Sequence, residues 1–267
     1  MSSSNDSIKK TIIVAFALCL VCSIFVAAAA VGLKPIQNTN KDLDRKRNIL
    51  SAAGMLEPGK SVDEIFDTVE TRIVNLQTGA FASDAEIEEA GINPATYDQT
   101  AASKDPQLSV ALSGENDPAS IKRRVNYSSV YLVKSPEGEI DRIILPVHGY
   151  GLWSTMYGFM ALKNDYNTVI GFGFYAQGET PGLGGEVDNP NWKALWNGKE
   201  VYNDNGQAVL RLAKGGVDSS DPEAIHKVDG LSGATLTSRG VTNLVQYWLG
   251  KEGFSPFLAQ LRSEGAQ

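Results

Sequence analysis

The stretch Asp229-Gly230-Leu231-Ser232-Gly233-Ala234-Thr235-Leu236-Thr237-Ser238 decides how this chain of 267 residues is read. Two glycines and an alanine keep side-chain bulk low there. Four hydroxyl residues stand just ahead of an amphipathic run with apolar positions at Val241, Leu244, Val245, Trp248 and Leu249. A small hydroxyl-rich loop feeding a helix leaves unpaired amide N–H groups and the positive end of the helix dipole at one point, which suits a phosphate. A plainer alternative stands beside it: Thr237 or Ser238 is an N-cap and the glycines make a turn, with no ligand involved. Spacing alone leaves both open.

A second run, Gly178-Glu179-Thr180-Pro181-Gly182-Leu183-Gly184, lies upstream. In this order the two runs resemble the paired signatures of the covalent FMN-binding domain family, in which a threonine hydroxyl is esterified to the phosphate of FMN. With the apolar N-terminal segment and the total length, the resemblance covers essentially the whole chain. It is similar to the family of C subunits of bacterial sodium-translocating NADH:quinone oxidoreductases, with the G subunits of the Rnf complexes as near relatives. The resemblance implies an α+β fold: a single N-terminal transmembrane helix, then an FMN-binding domain of antiparallel sheet with flanking helices. It places the modified hydroxyl at Thr235.

The expected FMN contacts are Gly149, Gly151, Leu152, Trp153, Glu179, Thr180, Gly182, Leu183, Lys227, Asp229, Ser232, Gly233, Ala234, Leu236 and Thr237. Three of the contributing segments carry glycine at element ends, where backbone can approach a flat ligand and Trp153 or Tyr150 can cover a ring face. A glycine turn with core aromatics fits the 149–153 segment equally well. An alcohol is a weak nucleophile without a base or metal beside it. The resemblance accordingly implies a separate flavin transferase, using FAD and Mg²⁺, with Thr235 as its target and no catalytic residue in this chain. Gly233 and Ala234 would let the loop enter that enzyme, Asp229 would assist recognition there, and Lys227 would offset phosphodiester charge. The resemblance further implies an electron relay within a membrane complex, with NADH and quinone sites on other subunits.

A formal net charge of -7 and a pI near 5.0 argue against nucleic acid as a partner. Residues 11–33 carry no charge and are long enough for a membrane span, too long for the apolar part of a simple signal peptide. Lys9 and Lys10 precede the span, whereas Lys34, Lys41, Arg45, Lys46 and Arg47 follow it. A positive-inside count therefore puts the large domain in the cytoplasm, while the resemblance implies a bacterial inner-membrane protein with a periplasmic domain. Cys19 and Cys22 lie inside the span and read as packing residues.

The chain divides on this reading into a tail (1–10), the span (11–33), a helical and acidic linker or subdomain (34–124) and the FMN-binding domain (125–267). Asp42 to Ala53 reads as a helix closed by Gly54. Ser61-x-x-Glu64 reads as a capping box opening a helix with Ile65, Phe66, Val69 and Ile73 on one face. Residues 83–117 hold eight acidic residues against the single Lys104 and read as a solvated insertion. The sheet is expected to begin at Val125, with strands at 130–133, 140–147, 168–175 and 208–212. Gly171 to Ala176 formally fits a dinucleotide fingerprint but falls within a strand with no helix after it. Two rival functions stay open: an anchored extracytoplasmic binding or sensor domain, and a Ser/Thr hydrolase using His148 or His226 as base.

Overall fold

The computed structural model describes residues 7–265; the first six residues of the tail read at 1–10 lie outside the described residues. The chain forms two compact units, 1–44 and 45–267. Helix α1 (Ile8–Ala52) is, among the described residues, the one helix long and apolar enough to cross a membrane. It continues through Pro35, so the two helices expected at 11–33 and 42–53 are one. Proline loses an N–H and crowds the preceding turn, yet its fixed φ is helical, and no glycine interrupts residues 33–53 to end the run. The stop comes at Gly54 (φ +65°), where the Met55 N–H donates to the Leu50 carbonyl at 2.9 Å, the closing bond of a Schellman turn.

In the second unit, α2 (Val62–Phe66) is a single turn capped by Ser61, whose oxygen accepts from the Glu64 N–H. Val69 and Ile73 do not continue it. They lie on β1 (Val69–Asn75), which is followed by β2 (Ala80–Phe81). The β-branched residues Val69, Thr71, Ile73 and Val74 win over a spacing that also fits a helix, because β5 (Tyr127–Lys134) supplies a partner along the whole strand. The acidic segment is ordered as well: α3 (Asp84–Glu89) has a full Ser83–Glu86 capping box, and α4 (Gln99–Ala102) is capped by Asp98. Strand β3 (Ser109–Ala111) then pairs with β4 (Arg123–Val125). Most charges of the 83–117 segment are exposed while Ile92 and Ala102 are buried, so apolar residues too sparse to show a period still anchor it.

The main sheet continues with β5 (Tyr127–Lys134), β6 (Ile140–Tyr150), β7 (Thr155–Lys163) and β8 (Val169–Ala176), in the order β2-β1-β5-β6-β7-β8 and antiparallel throughout. The Ser135–Gly138 turn joins β5 to β6 as its residues predict, with Gly138 at φ +92°. Strand β7 is an addition to the strands expected from sequence, and β1 and β2 move the start of the sheet upstream of Val125. Gly171 to Ala176 runs along β8, consistent with rejecting a dinucleotide loop. A Cβ at Gly171 would lie 2.6 Å from the Ala52 carbonyl, so this glycine admits the end of α1 onto the sheet.

Alternation along the strands gives the sheet two faces. One buries Ile144, Phe159, Ala161 and Tyr131 against Ile49 and Leu50 of α1 and Ala53 just after it. The other buries Leu145, Val147, Met156 and Met160 under α6 (Thr235–Trp248) and α7 (Ser255–Gly265). Between β8 and α6 lie α5 (Pro190–Ala194), with Trp192 and Trp196 in the core, and a short parallel pair, β9 (Arg211–Leu212) with β10 (Lys227–Val228). Only the last two residues of the strand expected at 208–212 are extended and paired in this way.

Candidate functional site

Helix α6 starts at Thr235, with Ala234 in the N-cap position and no side-chain cap. The expected capping role of Thr237 and Ser238 is therefore overturned: both sit inside the first turn and are buried. Their hydroxyls bond outside the helix, one to a distant loop and one to the loop just before it. Thr237 Oγ1 donates to Glu179 Oε2 at 2.5 Å, and Ser238 Oγ accepts the Leu231 N–H at 3.0 Å. Thr235, by contrast, is exposed at the first helical position, as is Leu236 beside it.

Glu179 is the centre of the arrangement. Its side chain is only 5% exposed, and it accepts the N–H of Leu152 (3.1 Å), Trp153 (2.9 Å) and Ser154 (3.4 Å) as well as the Thr237 hydroxyl. Burial works against its charge, but the hydroxyl and the three amides outweigh it and hold the carboxyl below the usual carboxylate range. The glycines nearby answer to this group. A Cβ at Gly151 would lie 2.6 Å from Glu179 Oε1, and one at Gly184 would meet Thr237 Oγ1 at 2.6 Å and Glu179 Oε2 at 2.8 Å. Gly182 (φ +75°) makes the turn that brings Leu183 toward Gly233, where a Cβ would lie 3.0 Å from Leu183 Cδ2. Gly149 packs differently: its missing side chain admits Leu244 of α6 and the Ala119 backbone.

The structure thus brings together the Gly151–Ser154 turn, the Glu179–Gly184 turn and the Ser232–Thr237 loop. Their exposed apolar residues are Leu152, Trp153, Leu183 and Leu236. Against Thr235 lies an open cavity of about 330 Å³, lined also by Lys214, Gly215, Gly230, Ser238 and Arg239. Neither Lys214 nor Arg239 makes an ion pair among the described residues. These two cations and Gly240 were not among the residues singled out from sequence. A Cβ at Gly240 would lie 2.5 Å from the Tyr150 carbonyl, so this glycine inside α6 lets the β6–β7 hairpin approach the helix.

Lys227 is placed otherwise than expected. Its ammonium pairs with Asp221 at 2.5 Å and with Glu223 at 3.3 Å, and these contacts raise its pKa. A phosphate would have to compete with two carboxylates for it, so Lys227 is corrected from phosphate partner to structural ion pair. Asp229 is tied into its own loop: its carboxylate accepts the Val217 N–H at 2.7 Å, and its carbonyl accepts from Trp192 Nε1 at 2.9 Å. His148 lies between Tyr157 and Trp248, where burial pushes its pKa down to about 4 against a weaker upward pull from Asp117. His226 Nδ1 contacts the Glu200 carbonyl at 2.8 Å. Each histidine is engaged in packing or backbone contacts, and neither is bonded to Thr235.

The residues around Thr235 fit a flavin phosphate: an exposed hydroxyl, a helix N-terminus and two cations with no ion pair among the described residues stand beside an apolar lip suited to a planar ring. The FMN-binding domain family matches residues 151–250, the span that holds all three loops. The chain is 55% identical over 264 residues to the C subunit of the Na(+)-translocating NADH-quinone reductase of Pseudomonas aeruginosa, covering 97% of this chain and 98% of that one. It is 49% identical over 263 residues to the protein of the same name from Vibrio alginolyticus, covering 98% of each. The crystal structure of Shewanella oneidensis NqrC superimposes with a TM-score of 0.73 at 38% identity, covering 82% of this chain and 97% of that one.

Proposed function

The chain belongs to the family of C subunits of the Na(+)-translocating NADH-quinone reductases, and from that premise we propose that it carries FMN esterified through its phosphate to Thr235. When bound, FMN supplies one-electron transfer, and the chain serves as a relay within the oxidoreductase complex. The observation that carries the assignment is the contrast between two hydroxyls two residues apart. Thr235 is exposed beside the cavity of Lys214 and Arg239, whereas Thr237 is fully buried and committed to Glu179.

On this reading Lys214 and Arg239 offset the phosphodiester charge, and the first amides of α6 face it. Leu152, Trp153, Leu183 and Leu236 exclude water from the ring. A flavin transferase installs the group, since no histidine or metal cluster stands ready to activate Thr235 among the described residues. The N-terminal helix anchors the chain in the inner membrane beside the other subunits, with the sheet domain on the periplasmic side. Co-expression with the transferase, followed by intact-mass and peptide analysis, tests the assignment. Wild-type protein gains the mass of one FMN phosphoester on the peptide containing Thr235, and Thr235→Ala gains none. Flavin retained by Thr235→Ala, or found on Thr237, would refute the choice of hydroxyl.

A further inference from the structure

We infer that Glu179 is a positioning residue and not a flavin contact: its carboxylate ties the β6–β7 hairpin tip to the first turn of α6, and so holds the apolar lip in register with Thr235. The inference rests on the flavin reading above and gives one of its residues a different task.

Both carboxylate oxygens are already occupied from within the protein. Oε1 accepts from the amides of Trp153 and Leu152, with Ser154 at the edge of range, while Oε2 accepts from Thr237 and shares the Leu152 amide. A carboxylate has about four acceptor positions, so this set leaves little capacity for a ligand donor. At 5% exposure it is also closed to solvent on nearly every side. The glycines at 151 and 184 leave the room that the carboxylate fills. Each bonded group adjoins a proposed flavin-facing residue: the amides belong to Leu152, Trp153 and their neighbour, and Thr237 is two residues from Thr235. Short loops held only by their ends sample many positions, and a shared buried acceptor with three amide donors removes that freedom before any ligand arrives.

Three variants separate the parts of this tie. Glu179→Ala removes it, Glu179→Gln keeps an acceptor for the amides and a partner for Thr237 without the charge, and Thr237→Val removes only the link to α6. Amide hydrogen exchange at residues 152–154 is measured in full-length protein made without the transferase, so that the readout needs no flavin. Glu179→Ala is expected to speed exchange there by about tenfold or more, and to slow flavin incorporation at Thr235 by about tenfold. Glu179→Gln should retain most of both properties. Thr237→Val should leave exchange at 152–154 slow while incorporation falls.

Unchanged exchange in Glu179→Ala would overturn the inference. So would a Glu179→Gln protein that keeps slow exchange yet loses flavin as fully as Glu179→Ala, because that pattern belongs to a charge acting on the flavin itself. If Glu179→Ala does not fold, Thr237→Val decides: incorporation that stays at the wild-type rate would overturn the inference. Wild-type protein that takes up no flavin would instead defeat the flavin assignment, and the exchange data would still judge the tie.

Discussion

Two groups of cations flank the segment from 211 to 239, and they differ in what their charges are doing. On one side Arg211 pairs with Glu223 at 2.6 Å and Lys227 pairs with Asp221 and Glu223, a closed set of two cations and two carboxylates. On the other side Lys214 and Arg239 border Thr235 with no ion pair among the described residues. Each side holds two positive charges, so a count of cations near the motif cannot tell them apart. An anion responds to uncancelled potential, and carboxylates at hydrogen-bond distance cancel it locally. Lys227, two residues ahead of the motif, is on the neutralised side, whereas Arg239, directly after it, is on the other.

Neutralising each side in turn gives the largest expected effect. Lys214→Gln combined with Arg239→Gln should lower flavin incorporation about tenfold, the scale of one lost charge-assisted hydrogen bond. Lys227→Gln should stay within about twofold of wild type. In-gel flavin fluorescence against time measures both, and equal losses would erase the distinction between the two sides.

Steric substitutions sharpen the same contrast. Gly184→Ala, on the Thr235 side, must displace Thr237 or Glu179 and should destabilise the fold by about 1–3 kcal/mol in chemical denaturation. Gly216→Ala, in the turn after Lys214, meets nothing within 4 Å and should be neutral within about 1 kcal/mol. Similar costs at both positions would mean that the site is no more closely built than its surroundings.

The last expected effect concerns His148, which stands apart from both groups. Its folded pKa of about 4 lies below the ordinary 6.5, so between these values the unfolded chain binds a proton that the folded chain does not. Stability should therefore fall as pH drops from 6.5 to 4, with a slope from this residue of at most about 1.4 kcal/mol per pH unit, and the contribution should level off below that. His148→Phe keeps a ring between Tyr157 and Trp248 and should flatten this part of the curve, measured by denaturant midpoints against pH. An unchanged curve would show that His148 is not the group responsible.

Much of the fold was legible from local pattern. The apolar run in α1, the Gly54 stop, the Ser135–Gly138 turn with its two strands and the amphipathic α6 each declare themselves within about a dozen residues. Strand β7 escaped because Thr155–Lys163 mixes Met, Ala, Leu and Lys with a central glycine. Its extended form is fixed by pairing with β6 and β8 on either side and not by its own preferences. A Cβ at Gly158 would lie 2.5 Å from the Gly173 carbonyl, so that glycine reflects a neighbour in β8 and carries no local turn signal.

The site divides in the same way. By itself the sequence determined that a hydroxyl-rich, low-bulk loop opens a helix, that glycine-bearing turns precede it, and which family's signatures these resemble. Those are properties of order and composition. Only the tertiary structure decided that Thr237 is buried on Glu179, 58 residues upstream, while Thr235 stays exposed; that Lys227 is neutralised while Lys214 and Arg239 are not; and that Gly151 and Gly184 make room for a carboxylate. Each of those facts depends on which groups meet in space. Burial, hydrogen bonding and charge cancellation act over a few ångströms between residues that the chain order keeps far apart.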